Sequence, residues 1–191
     1  MKRILVKTMI LVSGAIFMTV LFFSVIYSPN GEIFTKLALA QTESKNHPTR
    51  FYIPTLKIDA TVQEVGITKN GNIASPRNFS DVGWYKYGIL PGKKGTSVID
   101  GHVDNGLALP GVFSNLKNIR IGDNVYVETK NKKNLKFVVE KIEVYDYNAG
   151  TKDIIIDSDT SRLVLITCTG NWISNLRTHD KRLVVTAVLD D

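Results

Sequence analysis

The chain has 191 residues, a hydrophobic fraction of 43% and a formal charge of +6, enough for one domain with a proper core plus an appendage. Residues 1–40 hold +3 of that charge (Lys2, Arg3, Lys7 and Lys36 against Glu32), and the other 151 residues share the rest. Without a concentrated basic stripe a nucleic-acid partner is excluded, and with one cysteine, Cys168, so is an internal disulfide framework.

Residues 8–27 (TMILVSGAIFMTVLFFSVIY) run for twenty positions without a charge. At about 1.5 Å per residue a helix of that length spans roughly 30 Å, the hydrocarbon core of a bilayer. Lys2, Arg3 and Lys7 precede it and no comparable cluster follows. The positive-inside rule then keeps residues 1–7 in the cytoplasm and places everything after the helix outside, with Tyr27 at the position of an aromatic-belt residue. Ala38-Leu39-Ala40 before Gln41 matches the small-x-small pattern of a cleaved signal peptide. The apolar run is longer than a typical signal core, and about ten residues separate it from those alanines, which favours an uncleaved anchor. Either way the domain is exported. Residues 28–48 suit a tether, and residues 49–191 form the domain.

From Thr49 onward the pattern is β. FYIPTLKIDATVQEVGI alternates, with Pro54 at a strand edge or start. Asn70-Gly71 marks a tight turn. The glycine- and aromatic-rich DVGWYKYGILPGKKGT (81–96) suggests loops packed by large rings, and Val98-Ile99-Asp100 a short strand ending at Gly101-His102. Phe113, Leu116 and Ile119 are spaced for one short helical turn. NVYVET (124–129) and NLKFVVEKIEVYDY (134–147) read as a hairpin around KNKK. RLVLIT (162–167) and RLVVTAVL (182–189) close the set. Strands in close succession with few helix-length patterns predict a closed antiparallel or mixed β-barrel with short helices.

The chemistry centres on Cys168, predicted at the end of the strand RLVLIT, where a side chain can leave the sheet while its backbone stays rigid. A lone cysteine is otherwise often a small buried hydrophobe. A thiol acts as a nucleophile only as the thiolate, which needs a nearby cation or base. Of the histidines, His47 falls in the tether and His179 in a polar loop, while His102 follows Gly101 at a strand end; His179 stays an alternative. Arg182 opens the last strand. An arginine there is often a solvated end, but its fixed charge can also donate to an oxyanion, with Arg177 as the fallback donor.

The settings of these residues resemble the sortase family of cysteine transpeptidases. LVLITCTG is similar to the family's apolar strand ending in Thr-x-x-Thr-Cys, VIDGHVD to its strand-end histidine, DKRLVVTAVL to its closing strand, and IPTLKIDATVQEVG to its opening strands. The likeness covers residues 51–190. VGWY (82–85), GHVD and GVFSNLKNIRIGD (111–123) look most like class F, and Val164, before Leu165, departs from the usual threonine two residues before Ile166. The resemblance implies an eight-stranded sortase-like barrel behind an N-terminal transmembrane helix. It implies Cys168 as nucleophile, His102 as general acid and base, Arg182 as oxyanion and substrate stabiliser, and Thr167 in substrate binding, with no cofactor and no metal. The expected substrates are C-terminal sorting signals of secreted proteins resembling Leu-Pro-x-Thr-Gly, cut between Thr and Gly through a thioacyl enzyme. The acceptor would be an amine of the cell wall or a pilin. Two rival readings are a membrane-tethered, non-catalytic β-barrel that binds a wall component and an exported thiol hydrolase.

Overall fold

The computed structural model describes residues 17–19, 46–105, 107–150, 154–155 and 158–190. The expected cytoplasmic segment 1–7, the membrane helix 8–27 (apart from 17–19, which are helical) and the tether as far as residue 45 lie outside the described residues. No helix among the described residues is long and apolar enough to cross a membrane.

From residue 46 onward eight strands form a closed barrel: β1 (Pro48–Ile53), β2 (Ile58–Val65), β3 (Val82–Tyr85), β4 (Gly95–Gly101), β5 (Asn124–Thr129), β6 (Asn134–Asp146), β7 (Ser161–Ile173) and β8 (Thr178–Leu189). Their order around the barrel is β1-β2-β3-β4-β7-β8-β6-β5. The pairs β2–β3 and β4–β7 are parallel and the other six antiparallel. The expected mainly-β closed barrel is therefore present, and it is mixed. Closure leaves no unpaired sheet edge.

Alternation along each strand decides what faces inward. Phe51, Ile53, Ile58, Ala60, Ile99, Val125, Val127, Leu163, Leu165, Val185 and Ala187 belong to one buried cluster. Phe113, Leu116 and Ile119 join it from the connection after β4, with Phe51 edge-on to Phe113 at 5.6 Å. The predicted turn there is a 3-10 turn, Leu116–Asn118. The intervening residues on the adjacent strands, Val98, Val164 and Val184, point away from that cluster and are still buried. With both faces covered, these strands read as continuous apolar runs.

Three local features differ from expectation. Pro54 lies in no strand; it opens a 3-10 turn, Pro54–Leu56, that splits the opening segment into β1 and β2. Residues 82–85, expected as loop, form β3, and the large ring of Trp84 is buried by it. His47 belongs to the barrel unit: its ring lies 5.1 Å from Trp84 and its Nδ1 is 2.6 Å from Glu64 Oε1.

Candidate active site

Cys168 and Arg182 are register partners across the antiparallel pair β7–β8. Since Leu165 and Thr167 on β7 and Leu183 on β8 are buried, alternation turns Cys168 and Arg182 to the outer face of the barrel, side by side. On the other flank of β7, Asp100 of β4 is paired with Ile166, and His102 follows the last residue of β4. All four residues line one cleft of about 370 Å³. Its walls come from the β2–β3 connection (Thr68, Asn72, Ile73, Ser75) and the β6–β7 connection (Tyr147, Ala149, Ile154). The topology thus brings residues 66 positions apart in sequence to one site through the parallel β4–β7 pair.

β7 is longer than the sequence suggested: it continues past Cys168 to Ile173, with a bulge between Thr169 and Trp172. Likewise β8 begins at Thr178, four residues before Arg182. Cys168 therefore does not reach the cleft by standing at a strand end. It faces out because it lies one position beyond an inward threonine, and the sheet on both sides holds its backbone. Thr167 is buried, and its hydroxyl donates to the Gly101 carbonyl at 2.7 Å. That bond ties the residue before Cys168 to the residue before His102.

His102 Nε2 lies 3.0 Å from the Pro76 carbonyl oxygen. A carbonyl only accepts, so Nε2 carries the proton and Nδ1 is the basic nitrogen of the neutral ring. The ring also packs against Phe79 at 4.8 Å, and the backbone of His102 accepts a hydrogen bond from Phe113 N–H. Arg182 is anchored along its own strand. Nη1 donates to the carbonyls of His179 at 3.1 Å and Lys181 at 2.9 Å, and Nη2 donates to Thr178 Oγ1 at 2.9 Å. A guanidinium has five N–H donors, so the Nε hydrogen and one Nη2 hydrogen stay uncommitted among the described residues.

Burial pushes the Cys168 thiol above its ordinary value, the Arg182 guanidinium opposes this, and Asp104 and Asp100 add to it. The resting sulfur is therefore protonated at neutral pH. Burial also raises the Asp100 carboxyl to about 7, against a hydrogen bond from Ser75, and Asp100 Oδ1 has no partner among the described residues.

Of the residues singled out in sequence, Cys168, His102, Arg182 and Thr167 meet at this cleft. His179 does not line it; its Nε2 is 3.3 Å from Asp104 Oδ2 and its ring stands edge-on to Trp172. Arg177 is exposed in the β7–β8 turn. Asp100, Asp104 and Thr178 were missed. GHVD held a signal for Asp104, a charge two residues from the histidine, whereas nothing local marks Thr178, which reaches the site through a bulge. Among the described residues no three His, Cys, Asp or Glu side chains gather as a metal-binding set.

A closed barrel of this strand order thus pairs a cysteine with an arginine on adjacent strands and sets a histidine in the same cleft. The family profile for the sortase domain matches residues 51–190. The chain belongs to the sortase family. Among solved structures it is similar to sortase C-1 from Actinomyces oris (25% identity, TM-score 0.58, covering 74% of this chain and 73% of that one). It is also similar to a lid mutant of sortase A from Corynebacterium diphtheriae (25%, 0.58, 75% and 70%). Sortase A from Listeria monocytogenes shares the fold at 17% identity (TM-score 0.57, 76% and 88%). None of the curated proteins matches the chain.

Proposed function

We propose that the chain is a membrane-anchored cysteine transpeptidase of class F type, acting outside the cell on sorting motifs resembling Leu-Pro-x-Thr-Gly. The observation that carries this reading is the Cys168–Arg182 register pair on the outer barrel face, in one cleft with His102. A sulfur and a guanidinium held on neighbouring strands can meet the same peptide carbonyl. The class F assignment rests on the sequence pattern in VGWY, GHVD and GVFSNLKNIRIGD. Anchoring, with residues 1–7 cytoplasmic, rests on the apolar run 8–27 and the lysines and arginine before it.

The thiol proton first moves to His102. Thiolate Sγ then attacks the carbonyl carbon of the motif threonine, forming a C–S bond and placing negative charge on the oxygen. The uncommitted N–H groups of Arg182 donate to that oxygen, a type of contact whose loss costs about 10²–10³ in rate. Collapse breaks the C–N bond, and the His102 imidazolium gives its proton to the departing glycine amine, leaving a thioacyl enzyme. An acceptor amine, from a wall precursor or a pilin, adds to the thioester while His102 takes its proton. The C–S bond breaks and the thiolate returns.

The test is amine dependence. Incubation of the domain with a sorting-motif peptide and an oligoglycine or hydroxylamine is expected to give a ligated product, with little plain hydrolysis. Release of free acid that ignores the amine would make the chain a thiol hydrolase, and no cleavage of any motif in a peptide panel would favour a binding module.

A further inference from the structure

Between the Cys168–Arg182 pair and the Ile173–Thr178 pair, β7 has one more residue than β8. The extra residue sits in the bulge between Thr169 and Trp172. There Gly170 adopts φ +81°, and Asp180 caps the bulge by accepting from Asn171 N–H at 2.7 Å. A Cβ at position 170 would lie 2.0 Å from that same Asp180 oxygen. A bulge bends its strand and sharpens the local twist, which re-aims side chains. Beyond this one, Thr178 comes back over the site: its Oγ1 accepts from Arg182 Nη2 at 2.9 Å, in a part-buried setting.

A hydroxyl has one hydrogen to donate and two lone pairs to fill. With one lone pair taken by the guanidinium, its hydrogen is left to donate towards the facing strand, where Thr178 offsets part of the effect of burial on the Cys168 thiol. Accepting from a cation makes a hydroxyl a stronger donor.

We propose that Thr178 is a positioning residue for the transfer reaction, its hydroxyl bridging the Arg182 guanidinium to the Cys168 sulfur so that the two act as one network. This rests on Cys168 being the nucleophile. Thr178 does two things at once: it anchors one edge of the guanidinium, turning the uncommitted N–H groups towards the substrate carbonyl, and it supplies a donor to the thiolate. A merely structural threonine at the start of β8 would do neither.

The experiment compares Thr178→Val and Thr178→Ala, which remove the hydroxyl, with Thr178→Ser, which keeps it, in the exported domain. The first readout is the pH profile of Cys168 alkylation by iodoacetamide, which needs no peptide. The hydroxyl-less variants are expected to shift its midpoint upward by about 0.5–1 pH unit, with Ser close to the wild type. The shift should shrink when Thr178→Val is placed on Arg182→Gln, because the network is already broken. The second readout is amine-dependent turnover, expected to fall about tenfold in Val and Ala and to recover in Ser. Alkylation profiles that superimpose for Val, Ala and wild type would overturn the proposal, as would a Ser variant as impaired as Val. A wild type that alkylates normally but turns over no sorting peptide counts against the transpeptidase reading and leaves the alkylation comparison standing.

Discussion

Four groups act on the Cys168 sulfur after burial has raised its proton affinity: Arg182 and Thr178 pull it down, and the carboxylates of Asp104 and Asp100 push it up. The working thiolate is thus a minority species near neutral pH, and alkylation of the wild type should accelerate with pH to a midpoint above the ordinary thiol value of 9.0. Arg182→Gln is expected to move that midpoint higher and also to cost about 10²–10³ in turnover through the lost oxyanion donor. Asp104→Asn should move it lower. Asp100 makes a separate prediction in stability. Its native carboxyl holds the proton up to about 7 against an ordinary 3.8, so the native state binds more protons than the unfolded chain between those values. The stability it contributes is full below 3.8 and is lost as pH rises through 7, a change on the order of a few kcal/mol. Asp100→Asn should flatten that slope and raise the Tm at pH 8 more than at pH 4, read by thermal melts across the range.

At the scale of elements, the site depends on how β4 and β7 are pinned where they deliver His102 and Cys168. The Thr167 hydroxyl to the Gly101 carbonyl is the buried tie between them. Thr167→Val leaves that carbonyl unsatisfied, at a cost of about 1–3 kcal/mol, while Thr167→Ser should stay within the error of a urea titration. Gly111 is a second pin: a Cβ there would stand 2.4 Å from the His102 carbonyl oxygen. Backbone cannot yield as a side chain can, so Gly111→Ala should displace His102 and lower turnover by more than it lowers Tm. The sequence made the hairpin 124–146 and the strand leading to Cys168 legible, because alternation and apolar runs are local signals. It did not show β3, since VGWY is too short to display a period and its strand character comes from parallel pairing with distant β2. It also ended β7 too early: Thr169-Gly170-Asn171 looks like a strand stop, and only the partner strand reveals a bulge.

For the whole molecule, barrel closure converts separate sequence signals into one site. Cys168, His102 and Arg182 could be picked out singly by their strand-end or strand-edge settings, but the parallel β4–β7 pair that joins them spans a crossover of three elements. Non-local pairing of that kind leaves no trace in a local pattern, which is why the resemblance of the flanking motifs was needed to group the three. Of the surrounding residues, Asp104 was marked only by its place in GHVD, and Asp100 and Thr178 were not legible, because each acts through a neighbour supplied by the fold. In the proposed reaction this barrel presents the Cys168 sulfur to a peptide carbonyl as a nucleophile. The most direct measurement is the mass of the domain after a brief exposure to a sorting-motif peptide without acceptor amine, followed by peptide mapping. An added acyl group ending at the motif threonine, located on Cys168 and absent from Cys168→Ala, is the expected result. An acyl group on another residue, or full peptide cleavage by Cys168→Ala, would contradict it.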